Sequence, residues 1–214
     1  MGWVQCIGQN GGGGGTNKSI ELIYVSTTST ASETFTITED GLYLVGAGHS
    51  ARGSSTIILP VGVTTISSGI YTVDTSYPRG FTYAVAQLSA GDEITIGSTP
   101  SGWDGHGRFV AKLNGFDVGS GNALASVIVA DNTASYTLTD DSDYLVIGFC
   151  CGGSTSRNAQ TLTSDISDID LQRNVSNGLM LFRVSLISDA QGAVYTEYGY
   201  EGGVSVIVVL SAIV

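Results

Sequence analysis

Thr34-Phe-Thr-Ile-Thr-Glu-Asp-Gly-Leu-Tyr-Leu-Val-Gly-Ala-Gly48 returns 101 residues later as Ser135-Tyr-Thr-Leu-Thr-Asp-Asp-Ser-Asp-Tyr-Leu-Val-Ile-Gly-Phe149. Thr36, Thr38 and Asp40 meet Thr137, Thr139 and Asp141, while Tyr43, Leu44 and Val45 meet Tyr144, Leu145 and Val146. Phe35 and Ile37 meet Tyr136 and Leu138, and the same offset carries Phe81 onto Phe182 and Gly91 onto Gly192. Within the stretch, Phe35 and Ile37 alternate with Thr34, Thr36 and Thr38. That is the period of a half-buried strand, one face in a core and one in water. The pattern implies an all-β unit used twice by internal duplication.

Outward from this stretch, turn signals separate strands predicted at 20–25, 34–38, 42–48, 56–60, 70–73, 80–88, 93–96 and 107–113. A second set follows at 126–130, 135–138, 144–150, 159–163, 169–172, 179–187, 194–198 and 204–213. No helical period of useful length interrupts them. Short strands at this spacing describe a sandwich or jelly roll. The expected architecture is two tandem antiparallel β-sandwich, jelly-roll-like modules. They divide as a Gly-rich arm at 1–19, module one at 20–113, a linker at 114–122 and module two at 123–214. Aligning Leu113 with Leu210 changes the offset to 97, which implies a four-residue deletion in the loop around 98–107.

Composition agrees with strands and turns. Apolar residues make up 42% of the 214, but charged residues only 13%, so Thr, Ser, Asn and Gly must supply the polar surface. The net charge is −11, with eight basic residues scattered along the chain. Nucleic-acid binding, which draws its affinity from Lys and Arg on phosphates, is therefore not expected. Three cysteines, Cys6, Cys150 and Cys151, have neither zinc-site nor disulfide-framework spacing and are read as free thiols. The beginning of the chain has no basic segment followed by a long apolar run, so no signal peptide is read and synthesis in a reducing cytosol is expected. The apolar run 204–214 falls well short of the roughly 20 residues a membrane helix needs and is read as a buried strand, so no membrane partner is expected.

Candidate sites are few. Trp103, Asp104, His106 and Arg108 lie in a glycine-rich loop that only module one has. A Trp face can stack on a sugar ring while Asp and Arg bond its hydroxyls, so these four are a candidate glycan contact, set against a plain surface turn capped by Trp103. His49 falls where the repeat has Cys150, a pairing that suggests a metal ligand or, more simply, a strand-end residue half in the core. Asp140, Asp141 and Asp143, and Asp165, Asp168 and Asp170, form two acidic clusters. Either lacks the six to eight oxygens calcium takes and reads as a solvated turn. Cys150 and Cys151 are adjacent, but compartment and geometry argue against a vicinal disulfide. At the N-terminus, Trp3, Val4 and Ile7 precede Gly11, Gly12, Gly13, Gly14 and Gly15. The glycine run alone reads as a flexible linker; with its apolar leader it reads as an assembly arm held by a neighbouring chain. No catalytic set, metal site or cofactor motif is read, and the chain is not expected to be an enzyme.

Phe35-Thr-Ile37, then Gly41-Leu-Tyr-Leu-Val45, then Ala86-Gln-Leu-Ser-Ala-Gly-Asp-Glu-Ile-Thr-Ile96 resembles the jelly roll of complement-subunit heads and tumour-necrosis-factor ligands. There a pair of strands "F-x-V … G-x-Y-x-V" is followed by "L-x-x-G-D-x-I-x-I". The resemblance spans residues 20–113; in module two Gly41 becomes Ser142 and Asp92 becomes Ala193, so the match there rests on the repeat. Such domains trimerise through apolar faces, and similar ones occur as head fibres, decoration proteins and tail or baseplate appendages of bacteriophages. The resemblance therefore implies a homotrimeric virion structural protein, in contact with other virion proteins and made in the host cytoplasm. A glycan- or host-surface-binding adhesin is the alternative.

Overall fold

The computed structural model describes residues 19–26, 32–49, 54–73, 79–98, 106–115, 126–130, 133–137, 144–152, 161–163, 169–175, 178–187, 193–197 and 204–211; for the strands after residue 125, backbone pairing is described. Every described element is a strand. The first eight are β1 (Ser19–Ser26), β2 (Ser32–Thr36), β3 (Gly41–His49), β4 (Ser55–Ile58), β5 (Thr64–Val73), β6 (Arg79–Leu88), β7 (Glu93–Ser98) and β8 (His106–Asn114). Eight more follow as β9 (Ser126–Ala130), β10 (Thr133–Thr137), β11 (Tyr144–Gly152), β12 (Thr161–Thr163), β13 (Ile169–Val175), β14 (Gly178–Ile187), β15 (Ala193–Glu197) and β16 (Val204–Ser211). The predicted strands are all present, displaced at their ends by a few residues. The clearest difference is β5, which begins at Thr64 instead of 70. A register shift between Thr65 and Ser67 skips Ile66 and breaks the alternation on which the sequence reading depends.

All pairings are antiparallel, and they build two sheets from each half of the chain. The first half gives a five-stranded sheet, β1-β8-β3-β6-β5, and a three-stranded sheet, β2-β7-β4; the second gives β9-β16-β11-β14-β13 and β10-β15-β12. Strand for strand the two orders are the same. The last strand has a different offset from the one read in the sequence. Tyr43 pairs with Lys112 and Tyr144 with Ser211, so Lys112 and Ser211 correspond, 99 positions apart where the sequence alignment gave 97. Both values are even displacements from 101 and keep the same residues facing the same side, so alternation alone could not choose between them.

In the first half, the core between the sheets is Ile37, Tyr43, Val45, Ala47, Ala86, Leu88, Ile94, Ile96 and Val110, flanked by Ile23, Tyr24, Phe35, Ile57, Leu59 and Val63. The alternate residues of the five-stranded sheet, Leu42, Leu44, Phe81, Tyr83, Val85, Phe109, Ala111 and Leu113, are buried as well. Hence the central strands β8, β3 and β6 have no solvated face and read as nearly continuous apolar runs. The outer face lies towards the second half's five-stranded sheet: β6 approaches β11 and β16, β1 approaches β14, and β5 approaches β9.

Two turns fix how strands enter the sandwich. Asp92 N donates to Ser89 O at 3.0 Å and Gly91 takes φ +93°, the left-handed third position of a type II turn. The Asp92 carboxylate accepts from Ser89 N at 2.8 Å, and Asp40 accepts from Ala90 N at 2.8 Å. Ile37 N and O bond Asp92 O and Gly91 N, each at 2.8 Å, locking the turn to the end of β2. This is the physical content of the Gly-Asp pair in the sequence. The second turn, Pro60 to Val63, has Gly62 at φ +88° and carries Val61 at its tip.

Candidate functional site

The inward face of the five-stranded sheet runs from polar to apolar to polar. Pairing across β8, β3 and β6 sets Lys112, Tyr43 and Ala86 in one row, then Val110, Val45 and Ala84. Next come Arg108, Ala47 and Thr82, and last His106, His49 and Gly80. The polar rows close the two ends of the core. The chain's two histidines are thus direct neighbours across β3 and β8, a relation invisible in the sequence because it depends on the pairing of strands some 60 residues apart.

At this end several described polar side chains bond one another inside the protein. Arg108, 1% exposed, places Nη1 3.1 Å from Glu33 Oε2 on β2, and the Tyr24 hydroxyl of β1 donates to the same oxygen. One carboxylate so ties β1, β2 and β8 across the gap between the sheets. Beside it, Thr82 Oγ1 donates to the Ser55 carbonyl at 3.0 Å and lies 2.8 Å from Ser55 Oγ. His49 Nδ1 lies 3.3 Å from Ser55 Oγ.

Thr82 and Ser55 carry one hydroxyl hydrogen each, shared among the Ser55 carbonyl, the two hydroxyl oxygens and His49 Nδ1. Ser55 is only 5% exposed and His49 2%. The His–Ser–Thr chain is therefore a buried strut joining β3, β4 and β6.

At the opposite end, Lys112 Nζ lies 2.5 Å from Glu39 Oε2, and the Tyr43 hydroxyl donates to Glu39 O at 2.8 Å. The hydrogen bond and charge of Lys112 hold the Glu39 carboxyl below the usual range, and Glu39 in turn raises the Lys112 ammonium. Burial raises the Tyr43 phenol above its ordinary value of 10.0. Among the described residues no group of three or more His, Cys, Asp or Glu converges as a metal site would require.

The residues singled out in the sequence fare unequally. Arg108 is turned inward onto Glu33, out of reach of a sugar on the surface, because its position on β8 shares the face of Val110. His106 begins β8, while Trp103 and Asp104 lie outside the described residues. So do Trp3, Val4, Ile7, Gly11, Gly12, Gly13, Gly14, Gly15, Cys6, Asp140, Asp141, Asp143, Asp165, Asp168 and linker residues 116–122. His49 is a strand-end residue and fully enclosed. Cys150 and Cys151 are consecutive residues of β11, paired through the backbone on both sides, and Asp170 lies in β13 opposite Arg183. Sequence reasoning missed Glu33, Ser55 and Thr82. Each is a single polar residue in an alternating strand, and no local signal separates an inward hydroxyl from an outward one. Comparison of the chain with protein-family models, curated proteins and solved structures finds no match.

Proposed function

We propose that the chain is a non-enzymatic structural protein of a bacteriophage virion, a head-fibre or decoration protein or a tail or baseplate appendage. It works as a homo-oligomer of two duplicated jelly-roll-like modules, with residues 1–19 as the anchoring arm. The observation that carries this reading is the use made of the polar interior. Arg108, Glu33, His49, Ser55 and Thr82 are spent on tying strands together. What the described fold offers to another molecule is its outer surface, as an assembly protein does.

Two further observations support it. The Gly41–Val45 element falls on β3, and the Leu-Ser-Ala-Gly-Asp element on the β6–β7 turn, where a jelly roll of this kind uses them. The identical strand orders of the two halves suit duplication of one eight-stranded unit. The setting is tested on particles: the chain should co-sediment with gradient-purified phage at a fixed copy number and resist removal by washing. A chain found only in the soluble fraction of a phage lysate would overturn the virion reading.

A further inference from the structure

Three large apolar side chains stand out in solvent among the described residues: Ile58 at 61%, Val61 at 105% and Ile70 at 72%. All three lie on one segment, β4, its turn and β5. Both strands are edges, β4 of the three-stranded sheet and β5 of the five-stranded sheet. Ile70 pairs with Thr82 and so faces inward, but the three-stranded sheet ends at β4 and leaves β5 overhanging. Soluble proteins protect exposed sheet edges with charge, Lys above all, because an unprotected edge recruits another chain. Here that charge is absent. From Ser54 to Val73 there are twenty consecutive residues without one Asp, Glu, Lys or Arg.

The second half supplies an internal comparison. The same strand positions, β12 and β13 with the loop between, carry Asp165, Asp168, Asp170 and Arg173. At the register position where the first half sets Ile70 opposite Thr82, the second sets Asp170 opposite Arg183. The second corner is thus charged in the ordinary way and the first is bare. Charge also selects the occupant. Two copies of a chain with net charge −11 repel one another over most of their surface, and an uncharged apolar strip is where they can meet at least cost. A basic partner would instead be drawn to the acidic surface.

We infer that the β4–β5 corner of the first half is a self-association surface, on which a second copy of this chain buries Ile58, Val61 and Ile70. The inference rests on the homo-oligomer part of the proposed function and not on its virion setting. Val61 sits at a turn tip and Ile70 on an overhanging edge, so Val61→Lys and Ile70→Lys add charge without touching the core.

The test is the solution mass of the full chain and of each variant, by light scattering over a concentration series, with far-UV circular dichroism and melting temperature as folding controls. The wild type should have a multi-chain mass, and each variant should raise the dissociation constant by on the order of tenfold or more with its fold intact. A multi-chain mass that survives both substitutions would overturn this surface and leave the homo-oligomer reading standing. A single-chain mass for the wild type at every concentration would overturn both, and leave a different protein as the occupant.

Discussion

Gly46 and Phe109 face each other across β3 and β8, and a Cβ built on Gly46 would lie 2.2 Å from Phe109 Cε1. The glycine is required by the ring. At the corresponding register position the second half sets Ile147 opposite Val208. Gly46→Ala should destabilise by about 1–3 kcal/mol through overpacking. Adding Phe109→Val should recover part of this loss in a double-mutant cycle by urea denaturation, although the valine alone is itself destabilising. Additive penalties would show that the ring does not set the requirement. Tyr43 gives a pH-dependent counterpart. Its folded phenol is raised by burial, so the unfolded chain loses the proton first as pH climbs through 10. Stability from this group is complete below pH 10 and lost above it. Tyr43→Phe should remove that alkaline loss while costing about 1 kcal/mol at neutral pH for the bond to Glu39 O. An unchanged alkaline slope in the variant would assign the effect elsewhere. At this scale turn chemistry was legible. Gly91 and Asp92 could be read from residue type because φ > 0 and side-chain capping are local demands, whereas Arg108 could not, since its partner Glu33 lies 75 residues away on a strand of the other sheet.

Strands are joined across the interior by charge as well as by apolar contact. Glu33 holds Arg108 of β8 and Tyr24 of β1 from its place on β2, and Arg108 is nearly fully enclosed. Glu33→Ala leaves that guanidinium beside an apolar core, and should cost about 3–5 kcal/mol. Replacing both by apolar residues, Glu33→Leu with Arg108→Met, should be considerably milder, because no uncompensated charge remains. If the double variant is as unstable as the single one, the pair is not the source of the loss. The β6–β7 turn offers a simpler case. Gly91→Ala places a side chain at φ +93° and should lower stability by about 1 kcal/mol, a shift in melting temperature readable by calorimetry. Strand existence was legible throughout, because alternation is a local pattern. Strand partners were not. The Ser67-Ser68-Gly69 run inside β5 resembles a turn, and its bulge hides a ten-residue strand from any reading that requires strict period two.

For the molecule as a whole, the outer face of the first five-stranded sheet presents Leu42, Leu44, Phe81, Tyr83 and Phe109 towards the second half. The two halves should therefore melt in one calorimetric transition, and a fragment ending at residue 115 should be insoluble or self-associating even with the β4–β5 corner charged. Two separated transitions, or a soluble monomeric fragment, would show that the halves are independent. The like strand order of the two halves was anticipated by similar segments 101 apart, but the closeness of the halves was not, since both faces of a sheet buried on both sides look alike in sequence. The order of pairing has a further consequence, for the chain as it is made. Among the described strands β1 has one partner, β8, and β2 one, β7, so the first two strands of this half bond to its last two. At about 5–20 residues per second, β1 waits on the order of 10 s for its neighbour. Until β6 emerges, the apolar run of β3 has no strand of its sheet to pair with, and a chaperone that shields extended apolar segments should raise the yield of folded chain.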